Sequence, residues 1–355
     1  MITDLEVSGY KGLESVRLTQ LKRIVLIGGR NNAGKTSLLE AFFASLDWAN
    51  PELLSRHLQW RGLDVFLNSP DGAWSQSFTN FDMKEKIQVK TRIPDGDRYT
   101  FTIQMLDSSG TTGAMSPSVG NKENVRVPGT PTLRITNTRG SKPVFEALIS
   151  ATGKLPPYTH KIVKMDETPP KAGFTISRTR VSSTEDANNF GVLDQAKRTD
   201  ELILALHVIE PRLRGLSIIP VGSRPQLFAD IEGFSKKIPV NLLGDGITRL
   251  LSTLLQISNL TGGYLLVDEI ENGFHYSVMP KVWQTLYKAC KLQKCQMFAT
   301  THSYECLKSF AESLNEVAPE DYSYTRLQRD DGKLKITQYD AKELRDAVDG
   351  GWEVR

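Results

Sequence analysis

A phosphate-loop pattern near the N-terminus constrains this chain more than any other feature. Residues 29–36 read Gly-Arg-Asn-Asn-Ala-Gly-Lys-Thr, which fits G-x-x-x-x-G-K-[ST]. An apolar run at 23–27 predicts a buried parallel strand before the loop, and residues 35–46 place their apolar side chains on one helical face. Strand, glycine-rich loop and helix together predict an α/β fold that binds phosphate at the helix N-terminus.

The pattern assigns a role to each end of the loop. Lys35 is expected to neutralise the β- and γ-phosphates of a nucleotide, and Thr36 to offer its hydroxyl to Mg²⁺. The predicted cofactors are therefore ATP and Mg²⁺. The nucleotide-binding residues predicted here are Gly29, Asn31, Asn32, Ala33, Gly34, Lys35, Thr36 and Ser37.

Two carboxylates follow a second apolar run, at 264–267. Ligands of open α/β sheets bind at the carboxyl ends of the strands, where Asp268 and Glu269 fall. Asp268 is expected to hold Mg²⁺, and Glu269 to orient and polarise an attacking water. Such a pair alone is a weak signal, since a solvated strand end reads the same way, but its position after a phosphate loop strengthens it.

A third apolar run, at 296–300, is followed by His302. A strand next to the other two would bring this imidazole near the γ-phosphate, where it can donate a hydrogen bond. A single histidine after a strand is usually structural. Its order after the other two motifs favours a catalytic role, alongside Lys35 and Glu269.

A glycine-containing turn, Gly244-Asp245-Gly246, directly precedes an apolar helix at 246–258. Such a turn is a second anion site in one chain. One nucleotide does not need both sites from the same molecule, so we expect two copies to face each other across ATP. The alternative is a plain helix cap. Arg249, one turn into the helix, is interpreted as a surface residue.

The pattern along the chain predicts two lobes with an insertion between them. Residues 1–105 are expected to hold the phosphate loop and an antiparallel β-subdomain, and residues 201–355 the glycine turn, the carboxylates and His302. Residues 106–200, rich in Ser, Thr, Gly and Pro, are expected to form a loop-rich or helical insertion. Alternating strands and helices in the last part favour a parallel sheet.

Composition narrows the functional class. The 355 residues carry a formal net charge of +3, so any nucleic-acid surface has to be a local patch. Three cysteines without zinc-like spacing fit a reducing compartment. The N-terminus lacks the pattern of a secretory signal, and no apolar run is long enough to span a bilayer. We therefore predict a cytoplasmic protein without membrane contact.

The four motifs in this order resemble the ABC/SMC-like ATPases of the OLD and AAA-15 group. The resemblance covers about residues 1–50 and 195–355, in the blocks GGRNNAGKTSLLEAFF, LLGDGITRLLS, LLVDEIENGFHYS and FATTHSYECL. It implies a P-loop ATPase head with a mixed central sheet, and a homodimer that sandwiches ATP. Residues 244–246 would then act across the interface as the signature, with Gly244 in place of its usual serine.

Further roles are implied by the same resemblance. His302 matches the switch histidine of the group. Glu271, Asn272 and His275 fall where relatives carry a D-loop-like segment, which would place His275 near the partner head. Higher oligomers built from such dimers are compatible with this arrangement.

Relatives of this kind serve anti-phage defence, as in the PARIS and Septu systems. The resemblance thus implies a sensor ATPase that controls a separately encoded effector of the TOPRIM or HNH nuclease class, with DNA or a phage protein as the trigger. Two alternatives stay open at this point. One is a DNA repair or recombination ATPase of the RecF type, and the other is a nucleotide-locked scaffold that does not hydrolyse ATP.

Overall fold

A computed structural model describes the chain in ten stretches, and all structural statements concern these residues. They are 1–50, 52, 54, 56–57, 61, 74–106, 131–151, 158–177, 183–314 and 317–354. The chain divides into two compact units. The first comprises Met1–Thr3, Leu18–Leu39 and Pro170–Arg355, and the second comprises Asp4–Arg17 and Glu40–Pro169.

Strands and helices are numbered in chain order. The strands are β1 (Asp4–Tyr10), β2 (Leu13–Leu18), β3 (Ile24–Gly28), β4 (Ile87–Arg92), β5 (Arg98–Leu106), β6 (Thr132–Arg139), β7 (Lys142–Ala151), β8 (Tyr158–Met165), β9 (Ala172–Thr175), β10 (Leu213–Val221), β11 (Arg224–Ile231), β12 (Ile238–Pro239), β13 (Tyr264–Val267), β14 (Gln296–Thr300), β15 (Tyr322–Asp330) and β16 (Lys333–Tyr339). The helices are α1 (Lys35–Leu46), α2 (Ser183–Gln195), α3 (Thr199–Leu206), α4 (Asp245–Asn259), α5 (Met279–Leu292), α6 (Tyr304–Ser313) and α7 (Ala341–Asp349).

The first unit is built on a six-stranded sheet with the order β16-β15-β3-β14-β13-β9. Neighbours from β15 to β9 are parallel, and only the outer hairpin β15–β16 is antiparallel. Every residue of β3, β13 and β14 is buried, as expected for strands covered on both faces. The predicted α/β fold with a mixed central sheet is confirmed.

Helices α2 to α7 surround this sheet and share one apolar core with it. The longest of them, α4, buries its leucines against α2, α3 and α5, and α5 contributes Trp283, which is fully buried. A separate antiparallel sheet, β10-β11-β12, packs its buried residues into the same core. The core therefore fixes the positions of the loops that leave the carboxyl ends of β3, β13 and β14.

The second unit is a seven-stranded sheet with the order β2-β1-β4-β5-β6-β7-β8. Its consecutive pairs from β1 to β8 are antiparallel. The sequence indicates a loop-rich segment at 106–200, whereas three strands of 8 to 10 residues, β6, β7 and β8, lie within it, followed by α2. Threonine and serine on these strands fit a half-buried pleated surface, and pairing with distant β5 decides their conformation. Residues 107–130 of that segment are outside the described part.

Among the helices of the described residues, none combines the length and the apolar character that crossing a bilayer requires.

Candidate functional site

The phosphate loop connects β3 to α1, and there is no room for a side chain at its first glycine. Gly29 has φ +140°, and a Cβ on it would lie 2.2 Å from the carbonyl oxygen of Leu327 on β15. Any other residue here would have to push β15 away from β3. Within the loop, the side chains of Asn31 and Asn32 are exposed, whereas that of Ala33 is buried. The predicted loop thus forms with its first glycine packed against β15.

Lys35 folds back over the loop instead of pointing into solvent. Its Nζ donates to the carbonyl oxygens of Gly29, at 2.6 Å, and Arg30, at 3.0 Å. Burial lowers the pKa of Lys35, and the nearby carboxylates of Asp268 and Glu271 oppose that effect. An ammonium group that bonds only to weak neutral acceptors of its own loop can exchange them for phosphate oxygens.

Asp268 lies at the end of β13 and is almost fully buried. Thr36 Oγ1, in the first turn of α1, donates to its two carboxylate oxygens at 3.0 and 3.1 Å. Thr300 Oγ1, at the end of β14, donates to Oδ1 at 2.6 Å. The two residues that the sequence predicts as metal ligands, 232 positions apart, are therefore in direct contact.

Glu269 is next along the chain and has a left-handed backbone, with φ +48°. Non-glycine residues seldom adopt this conformation, which concentrates at functional sites. Its backbone N–H donates to Thr300 Oγ1 at 2.9 Å, and its Oε2 accepts from Asn272 Nδ2 at 2.9 Å. The Glu269 carboxylate is therefore partly exposed and fixed by Asn272, whereas that of Asp268 is buried.

His302 follows β14, which lies between β3 and β13 in the sheet. Its Nδ1 is 3.8 Å from Glu269 Oε1 and 3.3 Å from Glu271 Oε1. The strand order places His302 at the same edge of the sheet as Glu269, because the carboxyl ends of adjacent parallel strands meet there. The predicted contact of His302 with the γ-phosphate stays a prediction.

The turn 244–246 opens α4 and lies beside the loop that follows Glu269. Gly244 precedes the helix with φ +97°, and nothing lies within 4 Å of a Cβ built on it. A Cβ on Gly246 would lie 2.8 Å from the carbonyl oxygen of Gly273, so this glycine allows a close backbone contact.

Arg249 departs from the interpretation of a helix-surface residue. Its Nη2 donates to the carbonyl oxygens of Asp268, at 2.8 Å, and Glu269, at 2.9 Å. Burial lowers its pKa, while the charges of Glu271 and Asp268 raise it. Arg249 therefore lies on the face of α4 that turns towards β13. Through its two hydrogen bonds it holds the backbone of Asp268 and Glu269 in place.

Two residues of the site were missed by the sequence reasoning. Thr300 bridges Asp268 and the backbone of Glu269, and the Thr175 carbonyl oxygen accepts from the backbone N–H of Asp268 at 2.8 Å. Thr300 could have been found, since it is a polar residue at the end of a fully apolar run. Thr175 carried no signal, because its strand β9 was not predicted.

Comparisons with known proteins agree with this geometry. Residues 152–307 match the family described as AAA domain, putative AbiEii toxin, Type IV TA system. A Helicobacter pylori protein named ATP/GTP phosphatase is 22% identical over 344 residues, covering 90% of this chain and 89% of that one.

Two solved structures share the fold. One is an SMC head bound to the C-winged helix domain of ScpA, with a TM-score of 0.53, 12% identity, and coverage of 98% of this chain and 99% of that chain. The other is an Smc head with an extended coiled coil bound to the C-terminal domain of ScpA, derived from Pyrococcus furiosus, with a TM-score of 0.51, 10% identity and coverage of 98% of both chains. The chain thus has the fold of an SMC head, and residues 152–307 are similar to the AAA domain family.

Proposed function

We propose that this chain hydrolyses ATP at the carboxyl ends of β3, β13 and β14. The observation that carries the proposal is the contact between Thr36 Oγ1 and both oxygens of Asp268, at 3.0 and 3.1 Å, with Lys35 on the neighbouring loop. A hydroxyl and a buried carboxylate at one point, next to a lysine that can release its carbonyl partners, form a site for a metal-bound triphosphate.

The donor set fits Mg²⁺. Thr36 and Asp268 offer hard oxygen ligands, and Mg²⁺ usually takes one or two such ligands from protein and the rest from phosphate and water. When bound, the ion neutralises charge on the phosphate oxygens. Thr300 keeps the Asp268 carboxylate oriented through its 2.6 Å hydrogen bond.

The remaining steps belong to side chains of this chain. Lys35 binds the β- and γ-phosphates, and Glu269 accepts a proton from the attacking water and holds it in line. Asn272 fixes the orientation of Glu269 by donating to Oε2. His302 donates a hydrogen bond to an oxygen of the γ-phosphate and stabilises the negative charge on it.

We further propose that two copies sandwich ATP, each closing the site of the other with residues 244–246. The support is the open space around Gly244 and the exposed apolar side chains of Leu242 and Tyr276, which are 74% and 64% exposed. Exposed apolar residues beside a helix N-terminus suit an interface that also binds an anion. Asp245 lies in this turn and would meet the partner.

In the cell, we propose that this ATPase is the sensor subunit of an anti-phage system and controls a separate nuclease effector, of the TOPRIM or HNH class. The support is the matched family, whose description names a type IV toxin–antitoxin system. The trigger in this proposal is DNA or a phage protein.

The test is Glu269→Gln, which keeps the size of the side chain and its contact with Asn272 but removes the base. We expect phosphate release to fall about 10²–10⁴-fold, as for loss of a general base. ATP affinity, measured by titration calorimetry, should stay within about twofold, because Lys35 and Thr36 are unchanged. Light scattering with ATP should then show a trapped dimer.

Glu312→Gln is the matched control, since this exposed glutamate on α6 loses the same charge away from the site. Normal turnover by Glu269→Gln with intact ATP binding would refute the mechanism. For the cellular role, phage plating is compared in cells that carry the native operon with either variant. Equal protection by Glu269→Gln and the control would contradict ATP-driven sensing, and DNA-stimulated turnover without protection would favour a repair ATPase.

A further inference from the structure

A groove on the surface of the first unit lies between helices α3, α4 and α5. Its volume is about 390 Å³. Helices α3 and α5 form its two sides, with Leu204 and Leu292, and α4 contributes Leu254 and Ser258. Among the described residues that line the groove, none belongs to the proposed nucleotide site, so the groove is a separate feature.

The two sides of the groove expose large apolar side chains. On α3, residues 202–206 read Leu-Ile-Leu-Ala-Leu, and Leu202 and Leu206 are buried in the core while Leu204 is 67% exposed. On α5, Leu292 is 62% exposed. A surface helix normally carries polar residues on the face opposite to the core. Exposed leucines on both sides of one groove therefore mark a binding surface better than apolar residues scattered singly.

Most polar side chains along the groove already have partners within the protein. The hydroxyl groups of Ser258 and Thr285 donate to carbonyl oxygens of their own helices, at 2.9 and 2.8 Å. Arg198 is paired with Glu201 at 2.8 Å. Lys288 is exposed and forms no ion pair with any residue that the structure describes. The groove thus offers an apolar surface and one cation that is available to a ligand.

The α5 side of the groove is cationic. Residues 279–295 contain four lysines and neither Asp nor Glu. Lys281, Thr285, Lys288 and Leu292 follow one another at intervals of four, three and four residues, which places them on one face of α5. The last three of them line the groove. Because opposite charges across an interface favour association and fix its orientation, the occupant should be acidic on the side that meets α5.

An amphipathic helix has the shape and the chemistry that this groove requires. Such a helix presents a stripe of apolar side chains at positions i, i+3, i+4 and i+7, and grooves lined by apolar residues bind these stripes. Acidic residues beside the stripe can meet the lysines of α5. A small molecule fits less well, because small-molecule sites enclose the ligand and direct several polar groups at it. Here the hydroxyl groups donate to their own helices instead.

We propose that the groove between α3, α4 and α5 binds an amphipathic helix of a partner protein, with its apolar stripe against the leucines and its acidic flank facing Lys288. Leu254 lies about 14 Å along α4 from Asp245, at about 1.5 Å per residue. The groove and the turn 244–246 thus lie towards opposite ends of α4. Binding at the groove does not depend on ATP hydrolysis.

The first experiment selects ligands for the groove from a library. A yeast-displayed library of helical peptides, with the residues of one face and its flanks randomised, is sorted on nucleotide-free full-length protein. We expect the selected peptides to carry apolar residues at i, i+4 and i+7 and Asp or Glu on one flank. Absence of any enriched peptide, or enrichment of peptides without this pattern, would overturn the proposal.

The second experiment places the selected peptide on the molecule with Leu204→Asp. The peptide, labelled with a fluorophore, should bind this variant at least about 10-fold more weakly in anisotropy measurements, because an apolar anchor is lost. Val192→Asp is the matched control, since Val192 on α2 is 57% exposed and does not line the groove. Thermal midpoints first show that both variants are folded. Equal affinities of the two variants would contradict binding at the groove.

A charge exchange tests the contact with Lys288. Lys288→Glu should weaken binding about 2- to 10-fold, as expected for an exposed ion pair that becomes a repulsion. Replacing the acidic residues of the peptide by Lys should restore affinity for this variant and lower affinity for the wild type. Lys308→Glu, at an exposed position of α6 outside the groove, controls for the change in net charge. Failure of the exchange to restore binding would refute the assigned orientation.

Two further results would assign the groove to a different occupant and overturn the proposal. One is an oligomer of nucleotide-free protein that dissociates in Leu204→Asp but not in Val192→Asp, measured by sedimentation, since a second copy would then fill the groove. The other is a small apolar molecule that the purified protein retains in native mass spectrometry and that the peptide displaces. A wild type that releases no phosphate refutes the proposed function alone, because none of these measurements uses ATP.

Discussion

Each unit contains a buried cluster of ionisable side chains, and the two clusters are balanced in different ways. In the second unit, Glu40 is paired with Lys11 at 2.5 Å and Arg61 at 2.9 Å. In the first unit, the carboxylate of Asp268 bonds to hydroxyl groups, and Lys35 bonds to carbonyl oxygens. The first of these clusters contains direct ion pairs, whereas the hydrogen bonds of Asp268 and Lys35 described above are made to neutral groups.

The cluster around Glu40 is closed by two neutral groups. Tyr10 OH contacts His57 Nδ1 at 3.0 Å and donates to Glu40 at 3.3 Å. Burial lowers the pKa of His57 to about 3, so its ring is neutral at physiological pH. Burial alone would raise the pKa of Glu40, but the charges of Lys11 and Arg61 lower it. This cluster is complete without a ligand.

This difference indicates which of the two clusters is structural and which can bind a charged ligand. When buried charges form an ion pair, removal of either partner leaves the other without its counter-charge and destabilises the fold. Buried charges held by neutral groups can exchange those groups for a ligand of opposite charge. We therefore interpret the Glu40 cluster as structural and the Asp268 cluster as part of the proposed nucleotide site.

The largest effect is expected from breaking the closed cluster with Glu40→Ala. The substitution leaves Lys11 and the buried part of Arg61 without their counter-charge, so the free energy of unfolding should fall by about 3–5 kcal/mol. Urea denaturation measures it. Glu6→Ala, which breaks the exposed pair with Lys90, should cost less than about 1 kcal/mol. Similar losses for the two variants would remove the distinction between the clusters.

Asp186 on α2 sharpens the comparison, since its hydrogen-bond partner is a neutral side chain, Ser252 Oγ at 2.5 Å. Burial raises the pKa of Asp186 to about 6. An acid whose pKa is raised by folding favours the folded state when protonated. Its contribution to stability is therefore lost as pH rises from about 4 to 6, and stays lost above that.

Asp186→Asn should abolish this loss. At pH 7.5 we expect the variant to be more stable by roughly 1–3 kcal/mol, because the buried carboxylate of Asp186 is then ionised and its desolvation destabilises the folded state. The advantage should shrink below about pH 5. Thermal midpoints of both proteins between pH 4 and pH 8 measure it. A constant difference across that range would mean that packing, not ionisation, is responsible.

Thr36→Val tests the second half of the comparison, the cluster around Asp268. It keeps the shape of the side chain and removes the hydroxyl that contacts Asp268. A hydrogen bond to a charged group contributes about 1.5–3 kcal/mol, so kcat/KM for MgATP should fall roughly 10- to 100-fold. Thr285→Val, which removes a hydroxyl bonded to the carbonyl oxygen of Lys281 on exposed α5, should leave turnover unchanged. If the two variants have the same kcat/KM for MgATP, the hydroxyl of Thr36 has no role in the cluster around Asp268.

Local patterns in the sequence predict much of the first unit. The buried strands β13 and β14 and the helix α4 fall within one residue of the predicted ranges, because runs of apolar residues between polar loops have few other solutions. In the second unit, the antiparallel β-subdomain predicted within residues 1–105 contains the hairpin β4–β5. The contact between Thr36 and Asp268 follows from strand order once a parallel sheet is assumed.

Other parts depend on partners that are distant in the sequence. Nothing near 132–165 indicates long strands, because β6 to β8 gain their conformation by pairing in a sheet. Arg249 fits an exposed helix face equally well by periodicity, and only the packing of α4 against β13 shows where it lies. The hairpin β15–β16 is predicted as a hairpin, but its parallel pairing with β3 is not.

That pairing has a consequence for how the protein is made. Strand β3, which carries the phosphate loop, has β14 and β15 as its two neighbours, and Gly29 rests directly against Leu327. A ribosome that has reached residue 303 has synthesised every motif of the site, yet one side of β3 still lacks its partner. Because β14 and β15 both lie far from β3 in the sequence, β3 can pair with them only through long-range contacts. The proposed nucleotide site can therefore assume its final form only after residues 322–330 have been synthesised.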